Sequence, residues 1–137
     1  MGLFRRKPKR VRAAPVGVCD VCNARLPRTE AYFLTTRQVV VSPAYWDRRL
    51  DLTLGIAETF GIPESQMPQL VQDSVVSAAG QGTPWAVCEA CSADFTFDRT
   101  EARAHAVAST APPGTGKVDP RLCADVAAAA YERRGAP

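Results

Sequence analysis

The sequence predicts an α+β fold with a small β-hairpin core, a helical insert and a C-terminal helix. Three observations predict it. Two Cys-x-x-Cys pairs, Cys19/Cys22 and Cys88/Cys91, are separated by 65 residues. A run rich in β-branched and aromatic residues, AYFLTTRQVVVS, follows the first pair. Between that run and the second pair, and again near the C-terminus, apolar residues recur at helical spacing. With 137 residues, 46% hydrophobic and 23% charged, the composition is that of one soluble globular domain. No apolar run reaches the roughly 18 residues that a membrane-spanning helix needs.

The chain opens MGLFRRKPKRVRAAPVGVC, which has the positive start of a signal peptide. The apolar stretch behind it is short and is broken by Pro15 and Gly17, so neither export nor acylation of Cys19 is expected. Five cysteines without an export signal point to a reducing, cytoplasmic compartment, where paired thiols bind metal more often than they form disulfides. The net charge of +3 is unevenly placed. Arg5, Arg6, Lys7, Lys9, Arg10 and Arg12 hold six of the 17 basic residues, and the other 11 face 14 acidic ones. Residues 1–14 are therefore expected to be a disordered basic tail. Its six cations suit nucleic acid or an anionic membrane surface, and equally a solubilising leader.

VGVCDVCNARLPRTE then reads as a short extended segment entering a knuckle, with Asn23 suited to left-handed backbone. AYFLTTRQVVVS reads as two short strands with a turn near Thr36 and Arg37. Ser42 followed by Pro43 starts a helix, on which Trp46, Leu50, Leu54 and Ala57 share a face that Phe60 continues. Gly55 weakens the middle of that helix and could split it. A second helix is expected from about Pro68 to Ala79, with Leu70, Val71, Val75 and Ala78 inward, and GQGTP ends it. After a brief extended approach, a helix starts either at the second cysteine pair or at Asp98, where Asp98 and Glu101 loosely match a capping box. STAPPGTGK, Ser109 to Lys117, has linker composition. Asp119 and Pro120 open a last helix, Arg121 to about Arg133, with Leu122, Val126, Ala130 and Tyr131 inward. The expected organisation is a tail at 1–14, a metal-binding domain at 15–109 with its helical insert at about 43–80, a linker at 110–118 and a C-terminal helix at 119–134.

Four thiolates delivered as two close pairs are what a tetrahedral Zn²⁺ site needs, each sulfur about 2.3 Å from the ion. Cys19, Cys22, Cys88 and Cys91 are the candidate ligands. The separation of the pairs exceeds the roughly 15 to 20 residues of compact sites. Loop-closure entropy grows only logarithmically, so a structured insert between the pairs keeps the penalty modest. His105 and Cys123 are the rival ligands. His105, the chain's single histidine, reads as a packing or surface residue, and Cys123 as a small buried hydrophobe.

CDVC at 19–22, YFLTTRQVVV at 32–41 and WAVCEAC at 85–91 follow the order knuckle, hairpin, second pair and helix, and in these segments the chain resembles treble-clef zinc fingers. The resemblance covers about half the chain. The helical insert departs from that pattern and leaves a zinc-ribbon-like arrangement open. YFLTTRQVVVSPAYW is also similar to a stretch of small bacterial zinc proteins to which no activity attaches. The resemblance implies the same four cysteines as ligands of a structural zinc.

Enzymatic chemistry finds little support. PPGTGK at 112–117 looks like the core of a phosphate loop, but Ala111 stands where the first glycine belongs and Val118 where the Mg²⁺-binding hydroxyl belongs. Four cysteines close the coordination shell that catalytic zinc must leave open. Asp20 and Glu89, inside the two pairs, read as polar residues of exposed turns, and no nucleophile–base pair stands out. Disulfide oxidoreductases carry Cys-x-x-Cys in a βαβ context that is missing here, leaving a redox-sensitive zinc switch as the softer alternative. Tyr32, Tyr45, Trp46, Trp85, Phe95 and Phe97 could form stacking surfaces, but a small domain must bury most of its aromatics. Asp47, Arg48, Arg49 and Asp51 read as a solvated face. The reading that results is a zinc-binding, non-enzymatic protein-interaction module presenting its insert and last helix to a protein partner. The alternative is nucleic-acid binding through the basic tail.

Overall fold

The computed structural model describes residues 16–135. The basic tail lies outside them. Val16–Val18 (β1) and Arg25–Pro27 (β2) pair antiparallel on either side of the first cysteine pair, with Val18 opposite Arg25. The turn between them closes because the Cys19 N–H donates to Ala24 O and the Asn23 N–H to Cys19 O, each at 2.8 Å. Asn23 takes φ +66°, a left-handed conformation that asparagine tolerates better than most residues.

The hairpin expected over residues 32–41 does not form. Tyr32–Leu34 (β3) is a strand, but it pairs antiparallel with the distant Trp85–Val87 (β4), Leu34 opposite Trp85. The second half of the run, Thr36–Val40, is a helix, α1. Its start is a capping box. The Thr35 Oγ1 accepts from the Gln38 N–H (3.2 Å), while the Gln38 Oε1 accepts from the Thr35 N–H (2.8 Å). That reciprocal pair, with Val39 and Val40 fully buried, overrides the strand propensity of the valine run.

Helix α2 spans Pro43–Thr59, with the Ser42 hydroxyl accepting from the Tyr45 N–H, and it continues through Gly55 without a break. Trp46, Leu50, Leu54 and Ala57 are buried as expected. Phe60 is not: it follows the last helical residue, Gly61 turns the chain at φ +76°, and the ring is 78% exposed. A single 3-10 turn at Glu64–Gln66 leads to α3, Met67–Ala79, which buries Met67, Val71, Val75 and Ala78, with Leu70 half-buried.

After β4 come a short helix α4, Glu89–Ser92, and α5, Arg99–Ala108, so the chain uses both starts that the sequence allowed. The Asp98 side chain caps α5 by accepting from the Glu101 N–H at 2.8 Å. The segment between α5 and the last helix has no regular structure, yet Pro112 is buried and the Val118 N–H donates to Ala79 O at the end of α3 (2.8 Å).

Helix α6, Arg121–Gly135, packs against α2 and α3. It buries Ala130 as expected and also Cys123 and Ala127, while Leu122, Val126 and Tyr131, expected inward, are half-buried. Small side chains at the contact let the backbones approach closely, and the larger ones flank it. Arg133 pairs with Asp47 (2.7 Å), and Arg134 with Asp51 (3.6 Å) and Glu58 (3.3 Å). Asp47 and Asp51 are thus engaged with α6, while Arg48 pairs with Asp94 (2.7 Å) and Arg49 donates to the Tyr45 hydroxyl (2.8 Å). The face expected to be merely solvated carries specific contacts.

The core joins the helices to β4. Trp46 and Trp85 are buried, as expected, and the Tyr45 ring meets both edge-on at 5.1 and 5.5 Å. Their polar atoms are satisfied: the Trp46 Nε1–H donates to Val40 O (2.7 Å) and the Trp85 Nε1–H to Thr36 Oγ1 (3.0 Å). The Thr36 hydroxyl in turn donates to Gln81 O (2.6 Å). No helix among the described residues is long and apolar enough to cross a membrane.

Candidate metal centre

The strand pairing that the sequence did not predict is what assembles the site. β1 and β2 present Cys19 and Cys22 on one turn, and β4 delivers Cys88 and Cys91 to the start of α4. The two turns are locked by a reciprocal pair of hydrogen bonds: the Asp20 N–H donates to Ala86 O, and the Ala86 N–H donates to the Asp20 carboxylate, each at 2.8 Å. Asp20 therefore joins the two halves. Glu89 has a similar task, since it accepts from the Tyr32 hydroxyl (2.7 Å) and pairs with Arg99 (3.4 Å) and Arg103 (3.6 Å) of α5. The Arg103 guanidinium lies over the Tyr32 ring, 4.2 Å from its centroid.

The four sulfurs of Cys19, Cys22, Cys88 and Cys91 all lie within 4.8 Å of one another. A tetrahedron with metal–sulfur bonds of about 2.3 Å has edges of about 3.8 Å. The Cys22 and Cys88 sulfurs, one from each pair, are 3.8 Å apart. All five cysteines are free thiols, so no disulfide accounts for this approach.

Hydrogen bonds and burial divide the four unequally. Cys19 and Cys91 are buried, Cys88 is half-buried and Cys22 is exposed. The Val21 and Cys88 N–H groups both donate to the Cys19 sulfur at 3.4 Å, and the Cys91 N–H to the Cys88 sulfur at 3.5 Å. Burial pushes the Cys19 thiol up from its ordinary pKa. Cys91 rises further, through burial first and then through the neighbouring Cys88 and Cys19 sulfurs. Four thiolates this close repel one another, and a divalent cation among them offsets that repulsion while displacing the protons. The donor set, soft sulfur with tetrahedral spacing, fits Zn²⁺.

The two rival residues are elsewhere. His105 sits on α5 with its Nδ1 3.2 Å from Thr110 Oγ1, and Cys123 is fully buried in α6, its thiol 3.6 Å from Pro120 O. Neither belongs to the cluster. The roles of Asp20 and Glu89 went unread in the sequence because the partner of each, Ala86 or Tyr32, is far along the chain and no local pattern announces it.

Fold and site together define an α+β chain with a tetracysteine cluster consistent with a zinc site. No protein family, curated protein or solved structure matches the chain.

Proposed function

We propose that this is a structural zinc protein whose Cys19, Cys22, Cys88 and Cys91 clamp the ends of a helical insert, and that the insert serves as a protein-interaction module. The observation that carries the reading is the convergence of four sulfurs within 4.8 Å from two turns distant in sequence. Bound zinc would supply a charge-neutralising cross-link between the turns. A closed shell of four sulfurs leaves no open position for a substrate, which supports a non-catalytic role. The succession of knuckle hairpin, β3–β4 pair and following helices supports a treble-clef-like arrangement with an insert, and five free thiols support a reducing, cytoplasmic setting.

The interaction part of the reading is supported by α2. Leu52 and Ile56 are 58% and 50% exposed one turn apart, and Phe60 follows a turn later at 78%. An open hollow of about 990 Å³ runs past Leu52, Gly55 and Ile56 toward Val21 and Cys22 of the first turn. Apolar side chains aligned along one helix are the usual anchors of a protein contact.

The test has two readouts. Metal analysis of the purified chain should find one zinc per chain, falling below a tenth of that in Cys19→Ser. Affinity capture should recover a partner that the double variant Leu52→Asp/Ile56→Asp loses, at both 50 and 200 mM salt and without residues 1–12. Binding that instead weakens steeply over that salt range and disappears with residues 1–12 would establish the nucleic-acid alternative through counterion release.

A further inference from the structure

The four sulfurs are unequal, and the inequality has a direction. Cys22 is the exposed one, and it lines the open hollow beside α2, where a small solute reaches it without any movement of the fold. No backbone N–H among the described residues donates to its sulfur, whereas Cys19 receives two such bonds and Cys88 one. Hydrogen bonds draw electron density from a thiolate; the Cys91 sulfur also receives none but is buried, so among the sulfurs that solvent reaches Cys22 is the better nucleophile. The Cys88 sulfur, half-buried and on the other turn, is 3.8 Å away. Cys19 and Cys91, the other members of the two pairs, are 1% and 2% exposed.

We infer that Cys22 is a modification site for peroxides, with Cys88 as its resolving partner, so that oxidation links the two turns to each other rather than closing either Cys-x-x-Cys pair. The inference rests on the structural-zinc reading for the state that is oxidised. In the first step the Cys22 thiolate attacks hydrogen peroxide: an S–O bond forms, the O–O bond breaks and hydroxide leaves, giving the sulfenic acid. In the second the Cys88 thiolate attacks the Cys22 sulfur: an S–S bond forms, the S–O bond breaks and a second hydroxide leaves. Two sulfurs are oxidised by one electron each and the peroxide takes both. The sulfurs must close from 3.8 Å to about 2.05 Å, which removes two of the four ligands and releases zinc. Asp20 still ties the turns through Ala86, so the cross-link repeats a connection the fold already makes and is compatible with the folded chain.

The experiment uses zinc-loaded full-length chain and hydrogen peroxide, with free thiols then blocked by N-ethylmaleimide. Cleavage before Asp20 separates Cys19 from Cys22, and cleavage after Glu89 separates Cys88 from Cys91, so mass spectrometry assigns each bridge. The Cys22–Cys88 bridge should exceed either intra-pair bridge by at least about tenfold and appear in step with zinc release to a chromogenic chelator. Cys22→Ser should slow peroxide-driven zinc release by about tenfold or more; if that variant does not hold metal, the bridge assignment in the native chain decides alone. A zinc-loaded chain that oxidises first at Cys19 or Cys91, or that forms chiefly intra-pair bridges, overturns the inference and leaves the metal reading intact. A purified chain that contains no zinc overturns the metal reading and the inference with it.

Discussion

The clamp end and the helical end of the molecule share one apolar core but are built very differently. β1 to β4 are strands of three residues each, in two separate two-stranded sheets, and the polar contacts of Asp20 and Glu89 hold them together. Two-stranded sheets of that size are at best marginal in water on their own. The helical end packs α2, α3 and α6 around Trp46, Leu50, Leu54, Val75 and Ala127, all almost fully buried. Aromatic and aliphatic burial of this kind stabilises a domain without any cross-link. The difference teaches where a bound metal would matter most: the four cysteines lie at the end whose strands are too short to stand alone, even though Leu34, Trp85 and Val87 tie it to the shared core.

The largest expected effect follows from removing it. Stripping zinc with a strong chelator should cost the clamp end on the order of 10 kcal/mol of apparent binding energy. Hydrogen exchange should show the amides of β1, β2 and β4 losing protection before those of α2 and α3. Simultaneous loss in both ends would show that they form one cooperative unit and break the comparison. Next in size, Trp46→Ala should lower stability by about 3–5 kcal/mol in urea melts, because it empties the centre of the helical core, and should leave the zinc content of the folded fraction unchanged.

Asp20→Ala tests the joint between the two cysteine turns. It leaves the Ala86 N–H without its acceptor, and a loss of about 1–2 kcal/mol is expected, with zinc bound more weakly at equilibrium dialysis. The smallest effect has the opposite sign. A Cβ built on Gly55 meets nothing within 4 Å, and the residue lies in mid-helix, so Gly55→Ala should raise stability by about 0.5–1 kcal/mol in a thermal melt. A partner that packs its backbone against Gly55 would make the same substitution weaken binding, which separates a structural glycine from a docking one.

What could be read from the sequence tracks how local its cause is. Helices α2, α3 and α5 announce themselves through Ser42 with Pro43, the GQGTP stop and Asp98, all within a few residues of the elements they govern. The four cysteines were legible as ligand candidates because each pair is a local motif. The pairing of β3 with β4 was not, since Leu34 and Trp85 meet across the whole insert and no spacing rule encodes that contact. The Thr35–Gln38 box is a local signal too, but it competed with a run of three valines whose strand propensity is strong in isolation. On α6 the burial of Ala130 and Cys123 was legible, but Leu122, Val126 and Tyr131 are only half-buried, because Ala127 to Ala130 are uniformly small and apolar and the periodicity that orients a helix is flat there.

The 65 residues between Cys22 and Cys88 bear on how the protein is made. The first turn can close early, because its hydrogen bonds and both its sulfurs lie within a few residues. Joining the second pair to the first needs β4 to find β3, a contact of high sequence separation and so intrinsically slow to form. During that interval an ion held by Cys19 and Cys22 has two ligands missing, and another nascent chain's second pair satisfies them equally well. Concentrated refolding with metal present should therefore favour exchanged dimers, and adding metal after the helices have formed should favour monomers.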